Sequence, residues 1–158
     1  MDTKKLLKVS LVAAIYAVIT YVLAPISFGA IQFRLSEIMT LLAFIDPLYV
    51  PALTLGCGIA NLFSPVGVID VIVGTAATFI ATFAMSKSKN MIIASLYPTI
   101  VNAIMIGAML YYAFNLPLVL SALQVGVGEF VVVTIIGVPV FKLVLKDKSL
   151  RDILKISE

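Results

Sequence analysis

The sequence predicts an all-α membrane protein, a compact bundle of six transmembrane helices with N and C termini cytoplasmic. Hydrophobic residues make up 62% of the 158 positions and charged residues 12%. A soluble domain carries about 25% charged residues, so this chain lacks the polar surface that water requires. Its mean hydropathy of +1.17 points the same way. The third observation is the charge map. Ten of the eleven Lys and Arg residues fall in three short segments: Lys4, Lys5 and Lys8; Lys87 and Lys89; Lys142, Lys146, Lys148, Arg151 and Lys155. The eleventh, Arg34, lies between long stretches almost without charge. At about 20 apolar residues per span, residues 1–158 hold six spans at most, joined by short loops in a single domain.

Each helix is bounded by its own breakers. The first, 5–23, follows the Lys4, Lys5 and Lys8 cluster, a beginning like that of a secretory signal. After Pro25 the chain stays apolar instead of turning polar, so this run is expected to remain as a helix. Pro25 and Gly29 mark the first connection. Helix two, 34–46, ends at the Asp46 to Pro51 turn. Helix three, 49–63, stops before Pro65 and Gly67, which open helix four, 67–86. The polar run Lys87 to Asn90 separates it from helix five, 91–113. Asn115 and Pro117 precede helix six, 118–145. Pro98 and Pro139 fall inside helices five and six, where a kink is expected. The tail from Lys146 to Glu158 mixes Lys, Arg, Asp and Leu, as a short interfacial helix does.

Six helices place both termini and the fourth connection on one side, where ten of the basic residues gather. The positive-inside rule makes that side cytoplasmic. The same rule explains the pI near 9.0 without nucleic acid, because the basic residues flank apolar spans. No histidine is present and Cys57 is the single cysteine, which leaves common metal sites and histidine-based triads without their residues. Cys57 lies between Gly56 and Gly58 with no base to activate it, so it reads as small packing. There is no phosphate-cradling GK[ST] loop. The chain is expected to be a non-enzyme, to need no cofactor, and to depend on partners for any ATP-driven step.

In this topology the remaining polar groups gather on the extracellular side. Gln32, Arg34 and Glu37 enter helix two there. Asn61 and Ser64 end helix three, Asp70 begins helix four, and Gln124 and Glu129 lie in the outer half of helix six, with Asn102 midway along helix five. Charged groups persist in hydrocarbon mainly where they line a polar cavity. Arg34 and Glu37, three apart, could also form only a local ion pair. Asp70 and Glu129 weigh against that reading, because anchoring a helix does not require surplus carboxylates. One positive and three negative groups favour a donor-rich or cationic ligand. Asn61 and Asn102 are equally readable as interhelical hydrogen-bond partners. Ala13, Ala14 and Ala17 form a small face on helix one, similar to Ala52, Gly56 and Ala60 on helix three and to Ala77 and Ala81 on helix four. Such faces allow close backbone approach within a bundle or against another subunit.

Three stretches together carry a family likeness: Gln32-Phe33-Arg34-Leu35-Ser36-Glu37; Gly56-Cys57-Gly58-Ile59-Ala60-Asn61-Leu62; and Asp70-Val71-Ile72-Val73-Gly74-Thr75-Ala76-Ala77-Thr78. They resemble the queuosine-precursor family QueT, whose members are substrate-binding S components of energy-coupling factor (ECF) transporters. The resemblance implies a six-helix S component that captures a 7-deazaguanine, such as the 7-cyano or 7-aminomethyl form, and docks on a transmembrane T component with two cytoplasmic ATPases. It implies that Ala13 and Ala17 meet the T component and that the loop from Pro25 to Gln32 is a lid. A deazaguanine edge offers a ring N–H and an amine that one carboxylate accepts together. Glu37 or Asp70 is expected to read that edge, with Asn61, Gln32 or Asn102 on the ring oxygen and Arg34 orienting Glu37. Phe28, Phe33 and Phe63 are candidates for stacking. Glu129 or Asp70 would meet an aminomethyl cation. The alternative is an S component for another vitamin or nucleobase-like small molecule.

Overall fold

The computed structural model describes residues 3–29 and 31–156, so Ala30 of the expected lid and the last two residues of the tail lie outside the described residues. Among the described residues the fold is all-helical. Four helices are long and apolar enough to cross a membrane: Thr3–Val22, Val68–Lys87, Met91–Phe114 and the continuous run Leu118–Val144. Two shorter apolar segments, Leu35–Ile45 and α4 (Tyr49–Asn61), pack among them. Thirteen helical residues reach about 20 Å, less than the hydrocarbon thickness of about 30 Å.

Helix α1 (Thr3–Val22) stops just ahead of Pro25, which sits in the first turn of the short α2 (Ala24–Ser27), where a missing N–H costs nothing. The chain then turns through Gln32, whose φ of 55° is the left-handed conformation uncommon outside glycine. Helix two of the sequence reading is not uniform. Leu35–Leu41 is a 3-10 helix that becomes α-helical only at α3 (Leu42–Ile45). Seven residues are long for this geometry, which rarely exceeds three or four. Three residues per turn put Arg34, Glu37 and Thr40 along one edge, and all three are buried. The Thr40 hydroxyl donates to the Glu37 carbonyl at 2.6 Å, helping to satisfy a backbone that has left the α ladder.

Helix α5 (Val68–Lys87) starts from Gly67 at φ 82°, a conformation that favours glycine. Asn90 caps α6 (Met91–Phe114) by accepting from the Ile92 and Ile93 amides at 2.8 and 3.3 Å. Asn115 ends that helix in the left-handed conformation. Pro98 is accommodated without ending α6. The last long run differs from a plain helix: α7 (Leu118–Glu129) gives way to a π-helical segment, Phe130–Gly137, before α8 (Val138–Val144). Pro139 has no N–H and its ring crowds the carbonyl four residues back, which disrupts the α ladder where the π segment ends.

One core cluster joins Val9, Tyr49, Met85, Ala94, Phe141 and Ile156, so the three basic segments share one end of the bundle. There the tail after α9 (Lys148–Leu154) turns back on the bundle. Lys8 Nζ donates to the carbonyls of Ile153 at 2.7 Å and Lys155 at 3.2 Å. The Tyr49 hydroxyl donates to the Leu154 carbonyl at 2.8 Å, and the Ile156 amide to Asp46 Oδ2 at 2.7 Å. A second cluster, Ala77, Ile106, Met109, Leu110 and Val125, fills the opposite half, beside the polar residues.

Candidate functional site

Arg34, Glu37, Asn61, Asp70, Asn102 and Glu129 are all buried, none more than 8% exposed. Their hydrogen bonds sort them into three neighbouring groups. In the first, Arg34 Nη1 points at the Cys57 sulfur from 3.8 Å, and its guanidinium lies 5.1 Å from the centre of the Phe28 ring. Asn61 Nδ2 donates to the Asp70 carbonyl at 3.0 Å and to Cys57 Sγ at 3.4 Å. The Asp70 carboxylate sits in the first turn of α5, where the helix dipole favours a negative charge. Gly74 makes this packing possible: a Cβ there would collide with Asn61 Nδ2 and come within 3.0 Å of Asp70 Oδ1.

The second group ties Glu37 to α1. The Tyr16 hydroxyl donates to Glu37 Oε1, and Thr20 Oγ1 lies 2.6 Å from Ser36 Oγ. In the third, Asn102 Nδ2 donates to Glu129 Oε1 at 2.8 Å. The charges of Arg34, Glu37 and Glu129 are close enough to act on one another, so the three groups form one electrostatic centre. Among the described residues two acceptors in it have no hydrogen-bond partner, Glu129 Oε2 and Asn61 Oδ1. Buried polar atoms are nearly always paired, and an unpaired one costs about 1–3 kcal/mol. Two unpaired acceptors leave the centre able to accept donors that a ligand would bring.

Gln32 lines a cavity of 200 Å³ with Phe28, Gly29, Pro65, Phe114 and Gln124. The loop reaches α7 at the same place, since a Cβ on Gly128 would collide with the Ile31 carbonyl and come within 3.0 Å of the Gln32 carbonyl. That contact sits one residue before Glu129. A wider apolar groove of 890 Å³ between α4 and α5, lined by Leu55, Gly58, Ile59, Ile72, Thr75 and Phe79 among others, includes none of the charged residues of this centre. Its polar groups are two threonines, Thr54, which donates to the Val50 carbonyl, and Thr75, so the region that gathers Arg34, Glu37, Asp70 and Glu129 is the candidate site.

The structure revises several expectations. Glu37 is held by Tyr16, while Arg34 turns to Cys57 and Phe28. Cys57 is an acceptor within the centre as well as a small packing residue. Phe63 is 58% exposed and pairs with Tyr21 at 4.8 Å, and Phe33 packs against the larger core cluster. Phe28 is the aromatic residue that stays with the charges. Ala13 and Ala17 are buried, at 2% and 8% exposure. A Cβ on Gly56 would lie 2.8 Å from the Ala13 carbonyl, so Ala13 serves the close approach of α1 to α4. The exposed side of α1 carries Leu7, Leu11, Ala14 and Val18. Sequence reasoning missed Tyr16 and Thr20, although both fall at helical spacing on the Ala13 and Ala17 face.

Four membrane-length apolar helices around a buried charged centre define a multi-pass membrane protein with a polar site inside it. A family model described as QueT transporter matches residues 6–146, and the chain belongs to the QueT transporter family. A curated relative, the queuosine precursor transporter QueT of Lactococcus lactis subsp. cremoris (strain MG1363), is 41% identical over 80 residues, which cover 49% of this chain and 47% of the relative. The match thus spans about half the length of that relative. No solved structure matches the chain.

Proposed function

We propose that this chain is the substrate-capture S component of an ECF-type importer. It takes a 7-deazaguanine queuosine precursor from outside the cell and hands it on through a T component driven by two ATPases. The observation that carries the reading is the buried polar centre, with Glu129 Oε2 and Asn61 Oδ1 unpaired among the described residues, in a chain of a transporter family with a relative named for a queuosine precursor. A deazaguanine brings N–H and amine donors on a flat ring. In this reading Glu129 and Asn61 accept from it, Glu37 or Asp70 takes a second donor edge, and Phe28 with Arg34 covers the ring. Gln32 belongs to the loop above the site, and Asn102 holds Glu129.

The six-span topology belongs to the same proposal. The two short segments, Leu35–Ile45 and Tyr49–Asn61, would join the four long helices as spans in one domain. The basic end would face the cytoplasm by the positive-inside rule. Docking on the T component would use the exposed side of α1 around Ala14, backed by Ala13 and Ala17 at the seam with α4. The test is equilibrium binding of 7-cyano- and 7-aminomethyl-7-deazaguanine to the purified chain in detergent, with riboflavin, thiamine and biotin as controls. Binding of a deazaguanine alone is expected. Binding of a vitamin instead would move the chain to another substrate class.

A further inference from the structure

Tyr16 is completely buried on α1, and its hydroxyl meets a carboxylate on a different helical segment. One turn along the same face, Thr20 Oγ1 makes a 2.6 Å contact with Ser36 Oγ, the residue before Glu37. Two adjacent buried hydrogen bonds therefore fasten α1 to the 3-10 helix at the residue that bears the charge. The Tyr16 bond falls on Oε1 of Glu37. Behind Tyr16, Gly56 lets α1 seat tightly on α4: a Cβ there would be 3.0 Å from the Tyr16 Cβ. The other side of α1 is a row of exposed apolar residues, Leu7, Leu11 and Val18.

We infer that Tyr16 is a positioning residue that couples α1 to the ligand site: its hydroxyl fixes the Glu37 carboxylate for the ligand, and displacement of α1 from the 3-10 helix loosens that site. The 3-10 helix is suited to such a response, because its backbone hydrogen bonds are poorer than those of an α-helix and side-chain bonds hold it in place. A membrane partner that shifted α1 would thereby lower ligand affinity without touching the ligand. The affinity part of this inference rests on the deazaguanine reading, and the coupling part does not.

The test uses the single cysteine as a ligand-independent reporter. Cys57 is fully buried beneath Arg34, the residue just before the 3-10 helix, so its alkylation by N-ethylmaleimide reads the opening of the centre. Tyr16→Phe keeps the ring and removes the donor; Thr20→Val keeps the shape and removes the Ser36 contact. Hydrogen bonds to charged groups are worth about tenfold or more in an equilibrium, and each variant is expected to raise the alkylation rate severalfold, Tyr16→Phe by about tenfold. A double-mutant cycle with Glu37→Gln separates coupling from general loosening: the double variant should alkylate no faster than the faster single one. Affinity for 7-cyano-7-deazaguanine should fall with the same non-additivity. Unchanged alkylation in both Tyr16→Phe and Thr20→Val, or strict additivity with Glu37→Gln, overturns the inference. Non-additive opening of Cys57 in a protein that binds no deazaguanine upholds the coupling and rejects the substrate reading.

Discussion

The polar centre is built by two kinds of helical segment that contribute different residues. The regular helices α4 and α6 supply amides, Asn61 and Asn102, each spending its NH2 group on a neighbour. The irregular segments supply charge: Arg34 and Glu37 flank or lie in the 3-10 helix, and Glu129 immediately precedes the π segment. These two irregular segments also pack on each other. A regular helix satisfies its own backbone and leaves side chains free to brace, whereas a tighter or wider turn re-aims one side chain at the expense of the ladder. The comparison teaches where this bundle tolerates imperfect hydrogen bonding, namely at its carboxylates. Asp70 stands apart, being an acid on a regular helix, but it occupies the first turn, where free backbone N–H groups already favour negative charge.

Three substitutions break or sharpen this contrast. Gly128→Val, at the approach to the π segment, should have the largest effect, because its side chain enters the space of the Ile31 carbonyl. Overpacking of that kind costs about 1–3 kcal/mol, so the thermal midpoint in detergent should fall and deazaguanine binding should be lost. Glu129→Gln comes next and should separate function from stability. It removes an acceptor, Oε2, that has no partner among the described residues, so affinity should fall about 10–100-fold while the thermal midpoint holds or rises. Binding at full strength would take Glu129 out of the site. Pro98→Ala, in the regular α6, should be smallest: a change in stability of about 1 kcal/mol, read by thermal unfolding, with binding unaffected.

Much of this contrast was legible in the sequence, and its limits have physical causes. Composition and charge placement marked the apolar helices, since hydrocarbon tolerates so few exceptions. The same scarcity singled out Arg34, Glu37, Asp70 and Glu129, which the structure buries. The 3-10 and π segments were not legible, because Leu35–Leu41 and Phe130–Gly137 have apolar compositions that fit any helix; Pro139 was the one local signal beside the latter. Helix rotation was the other gap. Ala13 reads equally well as an inward or an outward small residue until Gly56 on α4 fixes which. Phe63 follows the end of α4 by two residues, and the direction of that turn sends its ring to Tyr21 rather than to the charges. Tyr16 was overlooked because a hydroxyl needs a partner, and its partner lies 21 residues away.

The tail that returns to Lys8 bears on how the protein is made. Lys8 lies on α1, yet the carbonyl it binds at Ile153 is synthesised 145 residues later. Contacts of such sequence separation form late, since the intervening chain has to be ordered before they close. Until then the ammonium of Lys8 must rely on water or lipid headgroups at the membrane face, and Asp46 has the nearby Leu48 amide but not that of Ile156. The nascent bundle thus carries an unfinished seam through most of its biogenesis, and the seam closes only as the segment after α9 arrives.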